Sequence, residues 1–330
     1  MLTKRQNFLE TIRGGKPDRY VDQYEALEFI SGDPYSALGY GQLRIGGTVK
    51  NQWGVTIQWP EGMPGPFPVH DQAHKAITDI TKWREQITIP SLDFPQAEWD
   101  KAKPSVDAID RSEVFAAAMM APGVFDMTHY LMGMDDALIA FYEEPEAMHE
   151  LIDTVTEWEL RYAKLIVENY HPDAVFHHDD FGSQISTFLS PDMFREFIFP
   201  SYKRIYGYFK ANGAEIVVHH SDSYAATLVP DMIEAGIDVF QGCLAENNVP
   251  ELVKKYGGKM SFMGGINNGV VDVPNWTPEL VANYVEKTCR GCGTLYFIPC
   301  CTAGGPGTAY PGVYEKVSAE IARMSKELFV

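Results

Sequence analysis

The chain has 330 residues, 45% of them hydrophobic, and a formal net charge of −18 from 27 basic and 45 acidic side chains. That excess of negative charge repels phosphate backbones and anionic lipid, so neither nucleic acid nor a membrane surface is an expected partner. The chain has no apolar run long enough to span a bilayer. Its opening residues lead into an amphipathic segment, not a secretion signal. Five cysteines clustered late in such a chain read as free thiols or ligands, not as a disulfide framework, and a cytoplasmic location is expected.

In chain order, 7–13 reads as a short helix stopped by Gly14-Gly15-Lys16-Pro17, and 20–24 as a first strand. Residues 39–104 are rich in Gly, Pro and Trp with weak helical periodicity. Within them 51–59 looks like a strand and 60–68 like an irregular loop, so the segment reads as an insertion or cap. From Glu113 the pattern becomes regular. Apolar strands are expected at 114–120, 174–176, 215–218, 239–240, 260–263 and 295–298. Helices are expected at 145–170, at 191–211 with Ser190 as N-cap, at 225–234 closed by Gly236, and at 249–256, 278–288 and 314–328. Strands alternating with helices imply parallel βαβ units. About seven barrel strands are legible, one short of a complete barrel.

Three strand ends carry chemistry. Val217-Val218-His219-His220-Ser221-Asp222 and Phe297-Ile298-Pro299-Cys300-Cys301 are apolar runs that stop at residues able to bind a metal. A barrel strand ending this way delivers those residues to the C-terminal face, where barrel chemistry sits. His220, Asp222 and Cys301 would be three protein ligands with a fourth position open, the pattern of a catalytic zinc. The same residues also suit a strand end followed by a helix, with Asp222 or Ser223 as N-cap. Successive strand side chains point oppositely, so one of Cys300 and Cys301 binds and the other packs; Cys301, further past the strand end, is the expected ligand.

The third strand end is Phe176-His177-His178-Asp179-Asp180-Phe181-Gly182-Ser183-Gln184. Adjacent carboxylates at a barrel mouth are costly unless they meet a cation, an Arg or a donor-bearing substrate. Asp179 or Asp180 would orient a ligand histidine, bind substrate or act as general acid or base. A solvated loop turning at Gly182 is the plainer reading. Gly264-Gly265 permits close backbone approach but also makes ordinary turns. Cys289-Arg290-Gly291-Cys292 lacks a second pair and reads as the turn after a helix. Met119, Met120, Met132 and Met134 either line an apolar pocket or fill the core. There is no P-loop, dinucleotide fingerprint, nucleophile elbow or Asp-x-His-x-x-Gly corrinoid run.

Taken together, several of these segments resemble the uroporphyrinogen decarboxylase superfamily, particularly its corrinoid-dependent methyltransferase branch. The resemblance covers most of the chain. It includes 7–19, Gln52-Trp53-Gly54-Val55, 141–145, 179–184 and Ser190-Pro191-Asp192-Met193-Phe194-Arg195-Glu196-Phe197. It continues through His220-Ser221-Asp222, Met263-Gly264-Gly265-Ile266-Asn267 and Cys301. It implies a single (β/α)8 TIM barrel over 1–330 with the insertion at about 39–104. True decarboxylases carry an Arg-rich N-terminal clamp of the form Arg-Gln-Ala-Gly-Arg-Tyr; here Asp18-Arg19-Tyr20-Val21-Asp22-Gln23-Tyr24 stands instead.

The methylcobamide:coenzyme M members bind zinc through a His-x-Cys pair and a distant Cys. His220 and Cys301 match the first and last of these, and Asp222 stands at the near Cys. A carboxylate donates less electron density than a thiolate, so zinc would remain a stronger Lewis acid suited to an ether oxygen. The implied function is zinc-dependent O-demethylation. A methoxylated aromatic would give its methyl group to cob(I)alamin on a separate corrinoid protein. Asp179, Asp180 and Gln184 would orient substrate or handle its proton. The leaving phenolate has a conjugate acid of pKa about 10. Two other functions stay open: methyl transfer from the corrinoid to a thiol or folate, and a decarboxylase-like or purely ligand-binding barrel. Self-association is compatible with this sequence.

Overall fold

The computed structural model describes residues 1–38, 43–63, 65–301 and 306–329. Of the expected cap at 39–104, residues 39–42 and 64 therefore lie outside the described residues.

Ten strands are described: β1 (Leu27–Phe29), β2 (Thr48–Lys50), β3 (Thr56–Gln58), β4 (Phe67–Pro68), β5 (Phe115–Met120), β6 (Ala174–His178), β7 (Ile216–His220), β8 (Val239–Cys243), β9 (Ser261–Ile266) and β10 (Phe297–Cys301). Seven of them form one parallel sheet in the order β1-β5-β6-β7-β8-β9-β10, with helices in the crossovers. This is the α/β barrel arrangement that the alternating pattern implies. Its side chains alternate between two apolar layers. Leu27, Ala117, Phe176, Val218, Ile298 and Cys300 meet inside the curl of the sheet, and Phe8 closes that layer at the strands' N-terminal ends. Ala116, Val175, Val217, Phe262, Phe297 and Cys301 pack outward with the helices.

The first barrel strand is not 20–24, as the sequence pattern suggests, but Leu27–Phe29. Gln23 takes a left-handed backbone (φ 51), which breaks any extended run through it. Residues 20–24 instead cross between β10 and β1 without a ladder. The Gln23 side chain accepts from the Cys301 N–H (3.3 Å), and Tyr20 Oη donates to the carbonyls of Cys289 and Gly293.

The helix Pro145–Tyr170 appears as its periodicity requires, burying Met148, Leu151, Ile152, Val155 and Trp158. The expected helix at 191–211 starts at its Ser190 cap but is interrupted. A wide turn at Phe194–Ile198 separates Pro191–Met193 from Phe199–Ala211. Pro200 lacks the N–H that an unbroken helix needs there, and a fresh helical start places it where no donor is required. Cys289 and Cys292 lie inside the helix Pro278–Cys292, which runs one turn beyond its expected end and stops at Gly293 (φ 77); they do not form a turn. Two helices that the sequence pattern does not reveal, Val124–Met132 and Met134–Glu143, follow β5. The cap contains the antiparallel sheet β2-β3-β4, which buries Trp53, Val55 and Ile57.

The floor of the barrel is tied to the first helix, Lys4–Ile12, by charge. Glu215 accepts from Arg5 (2.7 Å) and Arg13 (2.8 Å). Burial pushes the Glu215 carboxyl up, but the hydrogen bonds from Arg13 and Arg5 outweigh it and hold it below the usual range. Its stabilisation is therefore present above the unfolded carboxyl's pKa and is lost as pH falls through the lower folded value. Glu215→Gln is expected to cost about 1 kcal/mol at pH 7. Urea unfolding at pH 7 and at pH 3 checks this, because the difference from the parent should shrink at the lower pH.

Candidate metal centre

Strands β6 and β7 are neighbours, and their register sets His178 directly beside His220 and His177 beside His219. Alternation then separates the two pairs. His177 and His219 turn toward the helices and are fully buried. His219 sits between Tyr206 Oη (2.6 Å) and the Asp179 carbonyl (3.3 Å), stacked on Phe181. His178 and His220 stand at the barrel mouth with ring centroids 4.4 Å apart.

One turn of chain beyond them, Asp180 Oδ2 lies 3.5 Å from His178 Nε2, and Asp180 Oδ1 accepts from the Asp222 N–H (2.8 Å). His178, Asp180 and His220 each bring a ligand atom within 4.8 Å of the others. Two imidazoles and a carboxylate at that spacing match the donor types of a three-ligand zinc site.

His220 is oriented from behind. Gln241 on β8 donates its amide N–H to Tyr24 Oη (2.8 Å), so its Oε1 is the acceptor that faces His220 Nδ1. That hydrogen bond places the proton on Nδ1 and leaves the Nε2 lone pair for a ligand. Gly242 makes the arrangement possible. Its φ of 80° sits at a break in the β8–β9 register, which leaves Cys243 in the outward layer. A Cβ there would come within 2.8 Å of the Ser221 backbone.

The electrostatics suit a cation. Burial, with the Asp180 charge, pushes the Asp126 carboxyl up to about 8 and that of Asp222 up to about 7. For Asp180 burial acts upward too, but His178's hydrogen bond and charge outweigh it and hold the carboxyl well below the usual range. Burial lowers His178, yet Asp180 outweighs it and raises the imidazole to about 9. Burial, assisted by His178, pulls His220 down to about 4, which favours the neutral ligand form. Asp126 Oδ2 and His129 Nδ1 are buried with no hydrogen-bond partner. Carboxylates crowded to this degree are what a divalent cation relieves.

Of the residues singled out from sequence, His220 and Asp180 fall in the cluster. Asp222 lies at its rim, with part of its surface open to solvent and its carboxyl set among the crowded groups of the mouth, and touches the cluster through its backbone. Cys301 is buried in the outward layer on β10, whereas Cys300 faces the lumen. Burial pushes the Cys300 thiol well up, partly offset by hydrogen bonds with Gln241 and Tyr24. Asp179 is fully buried, and its carboxylate accepts from the N–H groups of Phe125 (2.9 Å) and Asp126 (2.6 Å) and from Tyr202 Oη. It therefore caps the helix Val124–Met132, whose own N-cap, Gly123, has no side chain to do so. A Cβ on Gly123 would collide with Asp179 and come within 2.6 Å of Tyr202 Oη. Gln184 is exposed on the loop that Ser183 and Ser186 close.

His178 and Gln241 were not selected from sequence. His178 had a signal: His178-Asp179-Asp180 repeats the His-x-Asp spacing of His220-Ser221-Asp222 at the end of the adjacent strand. Gln241 had none, because a lone Gln in an apolar strand says nothing about what lies across the ladder.

A parallel α/β barrel with histidines and carboxylates gathered at the C-terminal ends of adjacent strands defines a class of barrel suited to metal chemistry. The chain belongs to the uroporphyrinogen decarboxylase family, whose profile matches residues 54–294. It is similar to a methylated-thiol–coenzyme M methyltransferase of Methanosarcina mazei, with 28% identity over 264 residues. That alignment covers 74% of this chain and 65% of the relative, so it spans just under two thirds of the relative's length. A solved structure described as a methyltransferase from Methanosarcina mazei superposes on 98% of this chain and 99% of its own. Its TM-score is 0.61 at 14% identity, a likeness of fold.

Proposed function

We propose that the protein is a zinc-dependent methyltransferase that moves a methyl group from a small methoxylated aromatic to a reduced corrinoid on a separate protein. The observation that carries this reading is the convergence of His178, Asp180 and His220 at the mouth of the barrel. Zinc held by these three residues would supply Lewis acidity toward the ether oxygen of the donor.

The remaining work falls to the chain itself. Gln241 keeps His220 in the tautomer that presents Nε2, and the Asp222 N–H steadies Asp180. Asp179 is a positioning residue that acts through the helix it caps. Asp222, at the rim, faces the solvent side of the cluster. In the transfer the methyl group leaves its ether oxygen for the corrinoid acceptor, and the phenolate left behind takes up a proton. The absence of a corrinoid-binding run in the sequence agrees with delivery of the acceptor by a partner. In this reading the acidic surface suits a partner with a basic face.

A second reading, with a methylated thiol as donor or a thiol as acceptor, is supported by the name of the Methanosarcina mazei relative. The two separate in one assay. Purified protein is incubated with cob(I)alamin and either 2-methoxyphenol or dimethyl sulfide, and methylcobalamin formation is followed by absorbance. Turnover of the ether above the sulfide is expected; turnover of the sulfide alone would replace the first reading with the second, and turnover of neither would remove both.

A further inference from the structure

Between the cap and the barrel mouth lies a cavity of about 410 Å³, walled chiefly by Phe29, Trp53, Met119, Trp158 and Tyr162. It is one side chain away from the metal-ligand cluster. Met119 is the ladder partner of Phe176, and the Phe29 ring lies 5.3 Å from that of Phe176. The Phe176 ring in turn lies 5.8 Å from that of His220. Met119 is 41% exposed although its strand is otherwise buried, so this wall is open to a visitor. An apolar cavity of roughly 150 Å³ already admits benzene, so this one has room for a substituted ring.

The lining also carries a charge rule. Among the described residues its only acidic or basic side chains are Asp33 and Glu159. Asp33 is taken up by the N–H groups of Tyr35 and Ser36 and by Tyr162 Oη (2.9 Å). Glu159 faces His177, at 3.2 Å. An anionic group entering this space would shed its water with no Lys, Arg or His among the described lining residues to receive it and two carboxyl groups nearby.

We infer that this cavity holds the ring of an uncharged methoxyarene and rejects rings that carry a carboxylate. The identity of the ligand as methyl donor rests on the function proposed above; the cavity and its charge rule do not.

The test is isothermal titration of the full-length protein, without corrinoid, with 2-methoxyphenol and with 4-hydroxy-3-methoxybenzoate. The neutral ring should bind at least tenfold more tightly than the carboxylate. Met119→Trp, which fills the cavity from a partly exposed position, should weaken 2-methoxyphenol at least tenfold while leaving metal content unchanged. Ser31→Lys, at an exposed position in the lining, should narrow the gap between the two ligands. Equal affinity for both rings overturns the inference, as does an unchanged affinity in Met119→Trp or tighter binding of tetramethylammonium than of the arene. Arene binding in the cavity with no methyl transfer from any ether would sink the functional reading and leave the cavity assignment standing. Ether turnover that Met119→Trp does not change would do the reverse.

Discussion

His220→Ala is expected to strip the protein of its metal, from about one ion per chain to under a tenth, and to lower methyl transfer by about three orders of magnitude. The reason is geometric. In the proposed site His220 is the ligand whose lone pair is aimed by a dedicated partner, Gln241, which Tyr24 in turn holds. Removing it leaves His178 and Asp180, which then revert to a mutual ion pair at 3.5 Å. Loss of several kcal/mol of Lewis-acid stabilisation converts to a rate loss of that order. Gln241→Ala should act more gently, weakening metal affinity about 10- to 100-fold, because it frees the ring without deleting the donor. Elemental analysis and a chelator competition check both, with the thermal midpoint recorded to exclude unfolding. Cys301→Ala is the informative control. With ligands His178, Asp180 and His220 it keeps its metal. If it lost the metal as fully as His220→Ala, Cys301 would be restored as a ligand and the three-residue assignment would fail.

Asp179→Ala should be the most destabilising single change near the site. It leaves two buried backbone N–H groups, of Phe125 and Asp126, and the hydroxyl of Tyr202 without an acceptor. Each orphaned buried donor costs about 1–3 kcal/mol. Part of that is offset, because burial, reinforced by the Asp126 charge, already pushes the Asp179 carboxyl well up and makes its charged form costly. A net loss of about 3 kcal/mol follows, a fall in thermal midpoint of roughly 4–5 °C for a domain of this size. Asp179→Asn keeps one acceptor oxygen and should lose about half as much. Calorimetry on both variants with metal bound is the check. A variant that unfolds like the parent yet has lost methyl transfer would mean that Asp179 acts on the substrate and not through the helix.

Both predictions turn on two adjacent aspartates that look equivalent in the sequence. Asp179 and Asp180 follow the same strand, and nothing local distinguishes a cap from a ligand. The split arises because β6 alternates: His178 and Asp180 fall on the lumen side, while His177 and Asp179 fall toward the helices. The same rule applied to β10 sends Cys300 inward and Cys301 outward, opposite to the assignment made from distance past the strand end. Strand geometry dictates alternation but not its phase, because each run of apolar residues is buried on both faces and carries no polar mark to fix it.

What the residues by themselves determined is the class of fold and the neighbourhood of the chemistry. Apolar runs of strand length, separated by helical periodicity and ended by His, Asp or Cys, specify parallel βαβ units and put those residues at the C-terminal face. The tertiary structure decided which of them meet. The pairing of β6 with β7 joins His178 to His220 across 42 positions of chain. Alternation along β8 sets Gln241 on the lumen side against its ladder partner His220, the glycine-permitted break beyond it sends Cys243 outward, and the packing of Asp179 under a helix invisible to periodicity removes it from the mouth. These are consequences of register and long-range packing, and a local pattern cannot encode them, since the partner that fixes each side chain lies on another strand.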